Sequence, residues 1–172
     1  LAAAEAASVR VLPCTAPRCT ACELLPETLE RLAGHPRVVG LVDASPDIQR
    51  ARQVLERCGD DFILLSGDDA GGREWMLAGA QGVLSVTANV APRPMRELAE
   101  AALEGDAARA LLIDQQLAEL HRALLVESDP IPVKWALSRL GLIPPGLRLP
   151  LTPLAAPGQA AVLAALEQAR LI

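Results

Sequence analysis

Residues able to do chemistry are few in this chain, and they are unevenly placed. Cys14, Cys19 and Cys22 stand at Cys-x4-Cys-x2-Cys spacing, with Cys58 as a possible fourth thiol. Plant-type iron–sulfur clusters use that spacing. Cys58, however, falls on the apolar stripe of a helix, so the expectation is no metal site. Asp68 and Asp69 are adjacent carboxylates that could share acid–base work. Directly after a strand, such residues more often cap the next helix, where free N–H groups and the helix dipole favour an anion. His35 and His121 lack a second ligand at metal spacing, and both read as structural. Amine nucleophiles are nearly absent: Lys134 is the sole lysine, and the chain has no tyrosine.

The elements that must position these residues follow from hydrophobic periodicity. Four short apolar runs, 9–13, 37–42, 62–66 and 82–86, read as strands. Their unbroken apolar character fits a parallel sheet covered by helices. Amphipathic helices lie between them. Leu25, Leu29 and Leu32 share one face. Ser45 is the expected N-cap of a helix that has Pro46 in its first turn and Ile48, Ala51, Leu55 and Cys58 inward. Further helices are expected near 70–80 and 91–104, the latter stopped by Gly105. Arg50, Arg52 and Arg57 read as solvated surface, and Trp75 and Trp135 as packing residues.

Beyond Gly105 the pattern changes to three helices without strands, about 106–125, 131–140 and 158–170. The first carries Ala110, Ile113, Leu117, Leu120 and Leu124 at helical spacing. A parallel strand–helix array followed by a helical appendage is implied. Periodicity alone leaves a half barrel and an open doubly wound sheet equally available.

Bulk properties narrow the function classes. With 172 residues, 51% of them hydrophobic, a packed core is expected rather than disorder. A net charge of −5 argues against a nucleic-acid partner. No apolar run approaches the roughly 18 residues of a membrane span. The opening LAAAEAAS lacks a basic start and contains Glu5, so it does not read as a signal peptide. Four cysteines without other signs of secretion suggest a reduced, cytoplasmic setting.

Five strings then resemble one family in order and spacing: LLPETLERLAGHPRVVGL (24–41), SGDDA (66–70), GVLSVTANVAPR (82–93), DPIPVKWAL (129–137) and LRLPLTPL (147–154). Together they resemble the dihydrodipicolinate synthase family. The resemblance implies a (β/α)8 barrel of which residues 1–105 supply strands five to eight, with 106–172 as the C-terminal helical domain. It also implies pyruvate chemistry. In the family a lysine ending the sixth strand forms a Schiff base with pyruvate, which then condenses with aspartate semialdehyde on the way to lysine.

Residue by residue, the resemblance puts the lysine position at Val42, in GLVDAS. The tyrosine position falls on Cys14 and the arginine position on Cys19, within CTAPRCTA. Pro17 and Thr20 keep the family pattern there and hold the register. Valine cannot form an imine, so the expectation is a catalytically silent member without a cofactor. Leu84, Gly67 and Asp68 match positions that line the pyruvate pocket, and weak non-covalent binding of a small 2-oxo acid is the most they suggest. A non-catalytic interaction or regulatory protein is the alternative, pairing with itself or with another barrel half from an intact relative.

Overall fold

The computed structural model describes residues 2–59 and 61–172, with the side chains of Arg18 and Cys19 outside that description. It separates into two compact units, residues up to 84 with 102–105, and 85–101 with 106–172.

The first unit opens with helix α1 (Ala2–Ala6). The Arg37 guanidinium closes its carboxyl end, donating to the carbonyls of Ala4, Glu5 and Ala7. A cation there satisfies orphan carbonyls and complements the dipole. The chain continues through β1 (Cys14–Thr15), α2 (Pro17–Thr20), α3 (Pro26–Ala33), β2 (Gly40–Asp43), α4 (Ile48–Cys58), β3 (Ile63–Ser66), α5 (Asp69–Leu77) and β4 (Gly82–Val83). The four strands form one parallel sheet in sequential order. Parallel neighbours need a crossover between them, and the amphipathic helices provide it. Leu41 and Leu64 are fully buried beside Leu29, Val54 and Trp75, which places the core between sheet and helices.

All four strands are shorter than the sequence suggests, the first and last most of all. Within 9–13 only Val11 bridges to Val38, and the ladder proper begins at Cys14. Pro13 explains the interruption: its carbonyl accepts from the Val42 N–H at 2.9 Å, but it has no N–H to return. The run 82–86 pairs only at Gly82 and Val83. Leu84 still donates to the Ser66 carbonyl at 2.7 Å, and then Ser85 Oγ accepts from the Ala88 N–H and turns the chain.

Helix entries also differ in detail. The N-cap of α4 is Asp47, whose carboxylate accepts from the Gln49 N–H at 2.9 Å. Ser45 instead spends its hydroxyl one turn earlier, accepting from the Asp47 N–H at 3.2 Å. Leu25 does not share the inward face of α3; it is the exposed residue before Pro26, while Leu29 carries the burial. On α4 the fully enclosed positions are Ala51 and Val54, with Ile48, Leu55 and Cys58 half-buried around them. Asp68 caps α5, accepting from the Gly71 N–H at 2.8 Å.

The second unit is helical. After a single 3-10 turn (Thr87–Asn89), the chain forms α6 (Pro92–Leu103), α7 (Ala107–Ala123), α8 (Ile131–Arg139) and α9 (Ala156–Gln168). Ala110, Leu117, Leu120 and Leu124 are buried on α7 as their spacing predicts, with Val162 and Leu166 enclosed on α9, while Ile113 is only half-buried. His121 is also enclosed, its Nδ1 2.7 Å from Thr87 Oγ1. Among the described residues no helix is long and apolar enough to cross a membrane.

Candidate functional site

The carboxyl ends of the strands gather most of the residues singled out in the sequence. Cys14 pairs with Val42, Val42 with Leu65, and Leu65 with Gly82. Laterally paired residues project to the same side of a sheet, and alternate residues along a strand do likewise. Cys14, Val42, Leu65, Gly67, Gly82 and Leu84 therefore belong to one face. Gly67 leans directly on this row: a Cβ there would stand 3.2 Å from Val42 Cγ1 and 3.1 Å from the Ala44 Cβ. Val42 is buried, whereas Cys14 and Leu84 are exposed.

Chemically this face is sparse. It offers one thiol, at Cys14, together with backbone groups and aliphatic side chains. The first unit contains no lysine, since Lys134 belongs to the other unit, and the chain contains no tyrosine. Cys19 lies in α2, and its side chain is outside the described residues. Cys14, Cys22 and Cys58 are free thiols, and among the described residues no group of three metal-binding side chains converges. Burial pushes the Cys58 thiol up, Glu30 pushes it further, and Arg57 opposes both.

The opposite face of the same strand ends is polar and closed. Thr15, Asp43 and Ser66 follow one another across the sheet in register, and all three are buried. Arg50, expected on the surface, is instead buried against Asp43. Its Nε lies 2.6 Å from Asp43 Oδ2, and its terminal nitrogen donates to the Leu24 carbonyl. Glu23 Oε1 adds a looser contact at 3.7 Å. The other Asp43 oxygen accepts from the Ser45 N–H at 2.9 Å. Both carboxylate oxygens are thus occupied, and one guanidinium ties α4 and the 23–25 segment to the end of β2. Arg57 does lie on the surface as read, within 4 Å of Glu27 and Glu30. The missed signal was Asp43 itself, an acid ending an apolar run, which needs a cation within the next helix's first turn.

Of the rim residues, Gly67 and Leu84 face the Cys14–Val42 side. Asp68 uses a carboxylate oxygen as the α5 cap, and Asp69 is buried in that helix's first turn.

A sequential parallel sheet with its singled-out residues at the strand carboxyl ends is the arrangement of α/β enzymes, whose sites form there. The dihydrodipicolinate synthetase family model matches residues 4–169, and the chain belongs to that family. It is 54% identical over 149 residues to the 4-hydroxy-tetrahydrodipicolinate synthase of Pseudomonas aeruginosa, covering 87% of this chain and 51% of that protein. With the synthase of Methylococcus capsulatus it shares 48% over 169 residues, covering 98% of this chain and 58% of that one. Among solved structures, the chloride-inhibited dihydrodipicolinate synthase of Acinetobacter baumannii, complexed with pyruvate, superposes with a TM-score of 0.96 at 41% identity. That match covers 99% of this chain and 59% of the other. The dihydrodipicolinate synthase of Aquifex aeolicus gives 0.94 at 34%, over 99% and 58% of the two chains. The chain spans about half the length of the curated relatives it matches.

Proposed function

We propose that residues up to 105 correspond to strands five to eight of a family (β/α)8 barrel, that 106–172 correspond to its helical domain, and that this chain does not perform Schiff-base chemistry. One observation carries the reading. Position 42, in register with Cys14 and packed beside Gly67, holds a buried valine where the family resemblance places the lysine. An imine needs a primary amine that is neutral for part of the time. Val42 supplies none, and Cys14 takes the place of the proton-relaying tyrosine. Gly67 and Leu84 stand at positions that the family resemblance assigns to the pyruvate pocket, and the Acinetobacter relative is complexed with pyruvate. That supports weak, non-covalent occupancy by a 2-oxo acid here.

The test is to incubate the full chain with pyruvate, reduce with borohydride, and map any adduct by mass spectrometry. No saturable adduct is expected on the natural sequence. Val42→Lys restores an amine at the strand end, and a saturable adduct at position 42 is the expected gain. An adduct elsewhere on the natural chain, saturable by pyruvate, overturns the reading. A folded Val42→Lys variant that stays unmodified refutes the placement of the pocket.

A second reading, pairing with another copy or with an intact relative, is favoured by the apolar exposure of Leu84, Leu12 and Val9 in the first unit. Light scattering of the chain, alone and mixed with an intact synthase, tests it. A monomer in both samples ends that reading.

A further inference from the structure

The second unit carries a concavity of about 340 Å³ between α8 and the proline-rich segment that follows it. Its walls are apolar along Ile131, Trp135, Leu147 and Leu154. Two cations, Lys134 and Arg139, share the same lining. Positions 131, 134, 135 and 138 recur at three- and four-residue intervals, so one face of α8 presents the lining.

Among the described residues, no ion pair reaches the Lys134 ammonium or the Arg139 guanidinium. Arg139 lies over the Trp135 ring instead, 5.9 Å from its centroid, a cation–π arrangement that leaves its N–H edges available. Small-molecule sites combine an apolar lining with a few polar groups that fix orientation, and about 300 Å³ is near their lower size limit. One planar ring with a short acidic arm fits within such a volume.

We propose that this concavity binds a small monocarboxylate with a flat apolar body, the carboxylate meeting Lys134 and Arg139 and the body packing on Trp135, Leu147 and Leu154. Charge decides the class. A cationic ligand meets two like charges, and a neutral one leaves both cations without an anion. A carboxylate gains charge-assisted hydrogen bonds to an ammonium and to a guanidinium.

Phenylacetate is the probe, titrated into the full chain and followed by calorimetry and tryptophan fluorescence. Trp75 is enclosed in the core of the other unit, so the fluorescence change belongs to Trp135 and should vanish in Trp135→Phe. Saturable binding is expected. Phenylacetamide, equal in shape but neutral, should bind roughly ten-fold more weakly, and Lys134→Gln should lower phenylacetate affinity by a similar factor. Arg139→Gln provides the same contrast through the second cation, should Lys134→Gln fold poorly by circular dichroism. Absence of saturation by phenylacetate overturns the proposal. Equal affinity for phenylacetamide, or for phenylacetate after either substitution, overturns it as well.

Discussion

Arg50→Ala is expected to destabilise the first unit more than any other surface-looking change on α4. Asp43 is 0% exposed and Arg50 5%, so water barely screens the pair. With Arg50 truncated, the Asp43 carboxylate keeps only the Ser45 N–H, and the Leu24 carbonyl loses its side-chain donor. Removing one member of a buried ion pair costs about 3–5 kcal/mol, because the remaining charge is left uncompensated. Asp43→Asn should cost less, about 2–3 kcal/mol, since it preserves an acceptor for Ser45 and Glu23 remains 3.7 Å from Arg50. In the double variant Asp43→Asn/Arg50→Met no buried charge is stranded, so its cost should fall below the sum of the single changes by about 2 kcal/mol. The assay is urea unfolding followed by fluorescence in a Trp135→Phe background, so that Trp75 reports the first unit alone. An Arg50→Ala variant within about 1 kcal/mol of its parent refutes the argument. Strict additivity in the cycle does so too, since it denies that the two residues interact.

Two further outcomes follow from packing and titration. Gly40→Ala should lose about 3 kcal/mol, because the added Cβ collides with the Ile63 carbonyl and comes within 2.7 Å of the Ile63 Cβ in the neighbouring strand. An unchanged Tm would deny that close approach. Cys58 should alkylate more slowly than the exposed Cys14 and Cys22 at pH 8, because its raised pKa leaves less of the reactive thiolate at any given pH. Its labelling should therefore gain rate only at higher pH, and Glu30→Gln should shift that gain downward by removing a neighbouring anion. Peptide-resolved iodoacetamide labelling checks this, and indifference of Cys58 to Glu30→Gln counts against the stated cause.

The order of elements was legible because parallel strands buried on both faces leave unbroken apolar runs, and the helices between them carry a different period. The ends of those runs were not. Apolar character continues through Val9, Val11 and Leu12, but pairing depends on whether each backbone has a donor to offer, and Pro13 does not. Ser45 and Asp47 both had the chemistry of an N-cap. Which one served depended on a turn inside 45–47 that composition does not reveal. For the site, the family resemblance put Val42 and Gly67 at one place, and the pairing register of β2 and β3 sets them on one face. Arg50 was misplaced because a helix drawn alone puts an arginine outward, while its partner Asp43 is seven residues away across a loop. The concavity beside α8 was equally hidden, since Lys134 and Trp135 join Leu147 and Leu154 only when the proline-rich segment folds back.

The alternation of β2 has a consequence for how such a chain changes over generations. Val42 and Asp43 are neighbours in the gene but address opposite sides of the sheet, one the face shared with Cys14 and Gly67 and the other the anchor to Arg50. A lineage released from the need for turnover can drift at the first position without touching the second. On the proposed reading the scaffold can outlive the reaction, and an amine at this one codon would return the imine-forming group without a rebuilt strand, leaving Cys14 and Cys19 as they are.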